Sequence, residues 1–534
     1  MKQITKIQFT LLLLLALSTQ FTLMAQGRKA TPAEEKFSVA TFIINRFYVD
    51  TVNEAKLLDE ALKAMLKELD PHSEYMNPEE VKAFNETMSG NFDGIGIQFN
   101  MLNDTLFVVQ AVSGGPAEKV GMRAGDKIVS VGDTCIAGVK MDRNKIMKML
   151  RGPKGTVANV KVMRNGEAID FAIVRDKIPL YSLDASYMVD DKIGYIRLNR
   201  FMATTNIEFL DALDTLKQQG MKKLILDLSG NGGGALQTAI DLTDEFISDS
   251  RTIVYTEGRA LPREDANATD RGNFEEGDLV IMVDETSASA SEIVSGALQD
   301  WDRAVIVGRR TFGKGLVQRA FPLPDGSQLK LTLARYYTPS GRCVQKPFDN
   351  ADKYRTDLLD RYKHGELMHA DSIRFADSLK YETLTAKRIV YGGGGIMPDV
   401  FVPLDTTGTN NYLRDLYAKN ILIDYQLDYI DNHREEILAE YKDFKHFKER
   451  FEVTDAMIED LVERGRKQQV EPKEDELEQI LPELKTAIKA LTARNIWNSS
   501  AFYQVYNERN AIYKKSVEIL SDGKQYKRLL SPAR

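Results

Sequence analysis

DETSASASEIVSGALQDWDRAVIVGRRTFGKGLVQ, residues 284–318, decides the fold. Just before it, Leu279 to Val283 is an apolar run with the length of a buried strand. The Ser-Ala cluster, Ser287 to Ser291, opens an amphipathic stretch that reads as a helix ending near Asp300. A second apolar strand, Ala304 to Val307, leads to Lys314 between two glycines. Serines and lysine are thus expected where parallel strands end, the edge at which open α/β sheets hold their ligands.

Upstream, the same grammar recurs. KKLILDLS (Lys222 to Ser229) is a buried strand, followed by the loop GNGGG (Gly230 to Gly234) and a helix from Ala235 to Ile247. A glycine loop between strand and helix aims backbone N–H groups at an anion or a developing oxyanion. Downstream, Val317 to Tyr337 is hairpin-like. Residues 176–405 therefore read as one α/β domain.

From Gly90 to Val174 the pattern is strand-rich. GIGIQF (Gly94 to Phe99) is a glycine turn feeding a strand, and GPAEKVGMRAGDKIVSVGD (Gly115 to Asp133) is a short helix, a glycine turn and a strand. A helix over Asp142 to Leu150 and a hairpin through Gly152 to Arg164 complete the unit, which resembles a PDZ domain over residues 90–175. Such a turn offers consecutive N–H groups to a peptide carboxylate, while the adjoining strand edge pairs with the peptide backbone. Ile95, Gly96 and Ile97 are the expected carboxylate loop; Ile146 and Leu150 are expected to line the side-chain pocket.

The chain's ends are simpler. Lys2 and Lys6 precede an apolar run from Phe9 to Leu17 and a small residue, Ala25, which reads as an export signal over residues 1–25. The run falls short of the about 20 apolar residues a membrane span needs. No Cys follows it to carry a lipid. Residues 26–89 read as a helical packing domain, with Asp70-Pro71 ending its second helix and His72 structural. Residues 406–534 are helical and charged; the amphipathic Phe502 to Leu520 fits packing on the α/β domain or pairing into a homodimer.

Composition excludes several function classes. At 534 residues and net charge −7, the chain is a multidomain globular protein with no electrostatic case for nucleic acid. Two distant cysteines, Cys135 and Cys343, make neither a disulfide scaffold nor a thiolate metal site. Gly308 to Lys314 spells G-x-x-x-x-G-K, but Gly315 stands where a phosphate loop needs Ser or Thr for Mg²⁺.

Ser289 and Glu292 form S-x-x-E, a helix capping box, so Ser289 has a purely structural reading. Against that stands the chemistry available locally. All five histidines, His72, His364, His369, His433 and His446, lie outside Asp176 to Lys346, and there is neither a G-x-S-x-G elbow nor H-E-x-x-H. A nucleophilic serine here needs a lysine base, kept neutral by desolvation. Lys314 is the lysine best placed for that.

The whole pattern resembles the C-terminal processing peptidases, or tail-specific proteases. The matching motifs are LDPHS (Leu69 to Ser73), GYIRL (Gly194 to Leu198), D-L-x-x-N-x-G-G (Asp227 to Gly234), SASASEI (Ser287 to Ile293), TFGKG with Gln318 following, and PSGR (Pro339 to Arg342), in family order. The resemblance implies an α/β multidomain chain: helical N-terminal segment, PDZ domain, ClpP/crotonase-like protease domain and helical C-terminal region. It selects Ser289 among the three serines as nucleophile, Lys314 as general base and Gln318 as the residue that orients it. Ala290 and one of the pair Gly233 and Gly234 match the oxyanion hole. Asp300, eleven residues after Ser289 on the same helix face, matches a supporting acid. No metal or cofactor is implied. Protein substrates with free C-termini are, in the periplasm or cell envelope, with a regulatory adaptor as a further partner.

Three departures stand out. Ser229 and Gly232 occupy positions where the family commonly has Arg and Pro. Residues 347–391 are a charged, helix-prone insertion open to reading as a lid, a docking element or a solvated excursion, the last favoured by its charge run, and the C-terminal region carries no catalytic signature. The alternative to a peptidase is a silent PDZ peptide-binding adaptor in which Ser289 is only a helix cap.

Overall fold

A computed structural model describes residues 29–532 apart from 103, 113, 165 and 474. The export segment expected at residues 1–25 lies outside the described residues. The chain divides after Leu69 into two compact units. The first holds the helices Pro32–Phe47 and Glu54–Lys67, the former opened by a Thr31–Glu34 capping box. It buries none of the residues of Pro32–Phe47. The boundary after Leu69 therefore falls inside the helical domain expected over 26–89. The reason is local: Ser73 Oγ accepts from Thr332 N–H at 3.0 Å, and the strand Glu74–Met76 pairs with Gln328–Tyr337, so residues from Asp70 onward belong to the larger unit.

At the centre of that unit lies a six-stranded sheet in the order Leu183–Met188, Ile193–Leu198, Lys223–Asp227, Leu279–Val283, Val305–Gly308, Val400–Phe401. The first pair is antiparallel and the rest are parallel. Parallel strands are covered on both faces, and the period of two assigns each residue its layer. Leu224, Leu226, Leu279, Ile281 and Val283 point to one side, where the helices Thr205–Gln218, Leu236–Asp244 and Ala290–Asp300 pack. Ile225, Val280, Met282, Val305 and Val307 point to the other and are covered by Ile512, Ile519, Leu520 and Tyr526. The last two helices of the chain, Ala511–Ser521 and Gly523–Leu529, are thus the back layer of the α/β domain. The helices before them keep a core of their own around Tyr425, Phe447, Leu461 and Leu484.

The PDZ unit is an antiparallel sheet in the order Ile97–Leu102, Thr105–Ala111, Lys127–Val131, Val157–Arg164, Glu167–Val174. Its entering strand Asn91–Gly94 and leaving strand Asp176–Pro179 pair with each other. The insertion at 347–391 docks on the α/β domain through one helix. Its helix Ala351–Lys363 buries Tyr354 and Arg361; the Arg361 guanidinium bonds the Thr311 and Arg310 carbonyls and Glu366, so it braces the loop before Lys314. Apart from Arg361, Glu366 and Arg388, most of its charges stay exposed to water, as in the Arg355–Asp352 pair. Among the described residues no helix is long and apolar enough to cross a membrane.

Because Ile519 is fully buried against the central sheet, Ile519→Ala is expected to destabilise the α/β domain by about 2–5 kcal/mol. Denaturant unfolding checks this; an unchanged midpoint would make these helices an appendage.

Candidate active site

Ser289 and Lys314 lie 25 residues apart and each follows a different parallel strand. What joins them is Glu292. Its carboxylate is fully buried and accepts four hydrogen bonds: Ser289 N–H at 2.8 Å, Lys314 N–H at 2.9 Å, Gly313 N–H at 2.7 Å and Thr311 Oγ1 at 2.5 Å. Burying a carboxylate costs several kcal/mol; four bonds to a charged acceptor, at about 1.5–3 kcal/mol each, offset it. Burial pushes its pKa up while these donors pull it back. On the opposite side, the buried Tyr336 hydroxyl is shared between the carbonyls of Ser289 at 3.1 Å and Lys314 at 2.6 Å. Both N–H groups are held by one residue and both carbonyls by another.

This frame holds Ser289 at φ 57° and ψ −111°. A non-glycine residue there is strained by about 1–3 kcal/mol. The neighbouring serines are accounted for otherwise: Ser287 Oγ donates to Leu228 carbonyl and Ser291 Oγ to Asn231 carbonyl, each at 2.8 Å and both buried. Ser289 is half-buried and lines a cleft of about 590 Å³ with Ala290, Lys314, Gln318, Gly233 and Gly234. The structure therefore brings these six residues together.

Lys314 has its pKa lowered to about 8, first by burial and then by the neighbouring Lys330 ammonium. Lys330 is itself paired with Glu74 at 2.8 Å. Gln318 donates its amide to Thr332 Oγ1 at 3.2 Å, and Thr332 donates on to Asp70 at 3.1 Å. His72, also of the LDPHS motif, bonds the Tyr354 hydroxyl through Nε2 at 2.6 Å. Its pKa is lowered to about 4 by burial and then by Lys314, which keeps the ring neutral.

The glycine loop is tied to the serine turn by Asn231. This fully buried residue accepts Ala288 N–H on its carbonyl, donates Nδ2 to Leu198 and accepts Gly233 N–H on Oδ1 at 2.9 Å. Gly233 takes φ +96°, and a Cβ there would stand 2.9 Å from the Ala290 nitrogen. A Cβ on Gly234 would stand 2.0 Å from the Phe201 oxygen. Neither position admits a side chain.

Asp300 does not reach the cleft. Eleven residues at 1.5 Å rise carry it about 16 Å along the helix from Ser289. There it is buried, paired with Arg342 of PSGR at 2.7 Å and accepting Ser340 N–H at 2.9 Å. In the PDZ unit, Ile95, Gly96, Ile97 and Leu150 line a groove of about 300 Å³. Ile146 does not: it is fully buried in the PDZ core. Arg143, Met147 and Leu150 line it instead, one helical face at i, i+4, i+7. A register of one residue separates the two readings, and amphipathic spacing alone does not say which edge of the stripe meets the groove.

Sequence reasoning missed Tyr336, Asn231 and the Asp70–Thr332 pair. Asn231 had a signal, because it stands inside D-L-x-x-N-x-G-G. Tyr336 had none, being one tyrosine of a strand.

The model of peptidase family S41 matches residues 192–350, that of the PDZ domain 94–174, that of the activating protease CtpB N-terminal domain 18–80, and that of a family of unknown function 412–498. The chain is 35% identical over 358 residues to the carboxy-terminal processing protease CtpA of Bacillus subtilis (strain 168), covering 65% of this chain and 76% of that one. It is 38% identical over 304 residues to a probable CtpA-like serine protease of Staphylococcus aureus (strain N315), covering 57% of this chain and 60% of that one. Among solved structures it resembles a photosystem II D1 C-terminal processing protease, at 25% identity and a TM-score of 0.36 over 71% of this chain and 96% of that one.

Glu292→Gln turns one of the acceptor oxygens into an N–H₂ facing two donors. It is expected to cost about 1–3 kcal/mol or more and to release the Ser289 turn. Thermal unfolding and a crystal structure of the variant check it; a native Ser289 backbone would sink the framing role.

Proposed function

The chain belongs to the carboxy-terminal processing proteases of peptidase family S41 and carries their PDZ domain, and on that premise we propose that Ser289 is the nucleophile of a serine endopeptidase with Lys314 as its base. The observation that carries this reading is the Glu292–Tyr336 frame, which commits four backbone groups to holding one serine and one lysine on the same cleft. A helix cap alone has no use for it.

Neutral Lys314 Nζ takes the proton from Ser289 Oγ, which attacks the scissile carbonyl carbon. Charge gathers on the carbonyl oxygen and is met by the Ala290 N–H and one glycine-loop N–H. Gly233 already donates to Asn231, which favours Gly234 for that part. Losing one such donor costs about 2.7–4 kcal/mol of activation energy. The leaving amine collects the proton from Lys314, and the acyl ester is then cut by water that the same lysine deprotonates. Gln318, anchored through Thr332, steadies the lysine. Asp300 supports the site at a distance by pinning the PSGR turn through Arg342.

The PDZ groove serves as the substrate receptor. The strand Ile97–Leu102 ends its sheet, so its outer edge is open to an added peptide strand, and the loop at Ile95 to Ile97 takes the terminal carboxylate. The enzyme is exported, residues 1–25 acting as its signal, and works in the cell envelope on proteins with accessible tails.

Two outcomes test this. Purified residues 26–534 are expected to degrade an unstructured protein with an apolar C-terminus, Ser289→Ala and Lys314→Ala to abolish it, and C-terminal amidation or Met147→Glu to raise KM. Tail binding without cleavage would instead make the chain a silent PDZ adaptor. The base works only unprotonated, so kcat/KM is expected to rise with pH and level off above about 8. At pH 7 roughly a tenth of the lysine is neutral. A pH profile flat between 6 and 9 would remove Lys314 from the role.

A further inference from the structure

Beside the catalytic cleft lies a second cavity, of about 650 Å³. One wall is the α/β domain at Arg197, Ser229 and Gly230; the other is the C-terminal helical region at Tyr417, Phe502 and Tyr506. Gly230 lines both cavities, so they meet at the glycine loop that borders Ser289.

Its charges are already taken. Arg197 pairs with Asp227, Arg309 with Glu285 and Arg509 with Glu483. Asp284 accepts from Gly230 N–H and Thr286, and Asp405 from Thr407. The wall therefore offers little to a phosphate or a metal ion. What it leaves open is aromatic: Tyr417 and Tyr506 are each 47% exposed, and Tyr506 is stacked on Phe502 at 5.4 Å. Rigid tyrosine faces with a polar tip suit a polypeptide, giving contact area at low entropic cost. At the Gly230 end, the buried Ser229 Oγ has no hydrogen-bond partner among the described residues.

The two ends of the cleft also differ in where they lead. Phe84 and Met88 line it from the helix Pro78–Ser89, which runs through Gly90 into the strand Asn91–Gly94 beside the PDZ groove. A tail held in that groove would bring the C-terminal side of the scissile bond along this route, which leaves the Gly230 end of the cleft for the N-terminal side.

We propose that this second cavity is a substrate site, in which the C-terminal helical region holds the stretch of polypeptide N-terminal to the scissile bond. The inference rests on the peptidase reading of the cleft. It gives the C-terminal region a direct part in substrate recognition. The enzyme engages a chain on both sides of the cut, and only a substrate with an extended segment long enough to span the two cavities gains from both.

The test separates binding from turnover. Fluorescent peptides sharing one cleavage site and one free C-terminus, with progressively longer N-terminal extensions, are titrated against the full chain carrying Ser289→Ala. Extension is expected to tighten Kd by about tenfold, the scale of two aromatic contacts. The gain is expected to vanish in a Tyr417→Ala/Tyr506→Ala background and to shrink in Thr409→Trp, which places a bulky side chain on the cavity lining, while the shortest peptide binds all chains equally. A Kd independent of extension, or a gain that survives both changes, overturns the site. Cleavage of the same peptides by the native chain reads the peptidase separately: an extension effect without turnover would retire the nucleophile and leave the binding site standing.

Discussion

Everything about the cleft depends on one buried carboxylate. Glu292 sits where a charge is expensive, and it is kept there by donors from two segments that the sheet alone would leave independent. The turn before the helix Ala290–Asp300 and the loop after the strand Val305–Gly308 close on the same pair of oxygens. With Tyr336 taking the carbonyls from the other side, the relative position of Ser289 and Lys314 is fixed through backbone atoms. Their side chains are left for chemistry. The strained conformation of Ser289, about 1–3 kcal/mol of backbone cost, is tolerated because its N–H and its carbonyl are both held by the frame.

Around this frame the molecule adds bracing on every side. Asn231 ties the glycine loop to the serine turn, Asp70 and Ser73 tie the strand carrying Thr332, and Arg361 of the insertion holds the carbonyls just before Phe312. On the back of the sheet the last two helices complete the layer that a parallel sheet requires. The C-terminal region thus has two duties within one stretch of chain: its final helices stabilise the protease sheet, and the helices before them form the far wall of the second cavity.

The capping-box reading of S-x-x-E and the nucleophile reading of Ser289 describe the same geometry. Glu292 does receive the Ser289 N–H as a cap would, yet it also reaches across to Thr311, Gly313 and Lys314, which no local rule foresees. Ser287 and Ser291 were equivalent to Ser289 as letters. Only their acceptors, the carbonyls of Leu228 and Asn231, separate them, and these lie about 60 residues upstream on another strand and loop. Asp300 illustrates the converse: its helical phase matches that of Ser289, but three turns of rise carry it out of reach.

By itself the sequence determined the order of units, the strands by their apolar runs, the glycine loop, and the residue types from which a serine–lysine site can be built. These are short-range properties, set by periodicity, turn chemistry and composition. The tertiary structure alone decided which serine faces the cleft, that Met147 and not Ile146 meets the PDZ groove, that the insertion docks through Arg361 beside the loop before Lys314, and that the C-terminal helices form the back of the sheet. Each of these is a choice between near-degenerate local alternatives, and it is settled by where a distant segment supplies a donor, an acceptor or an apolar face.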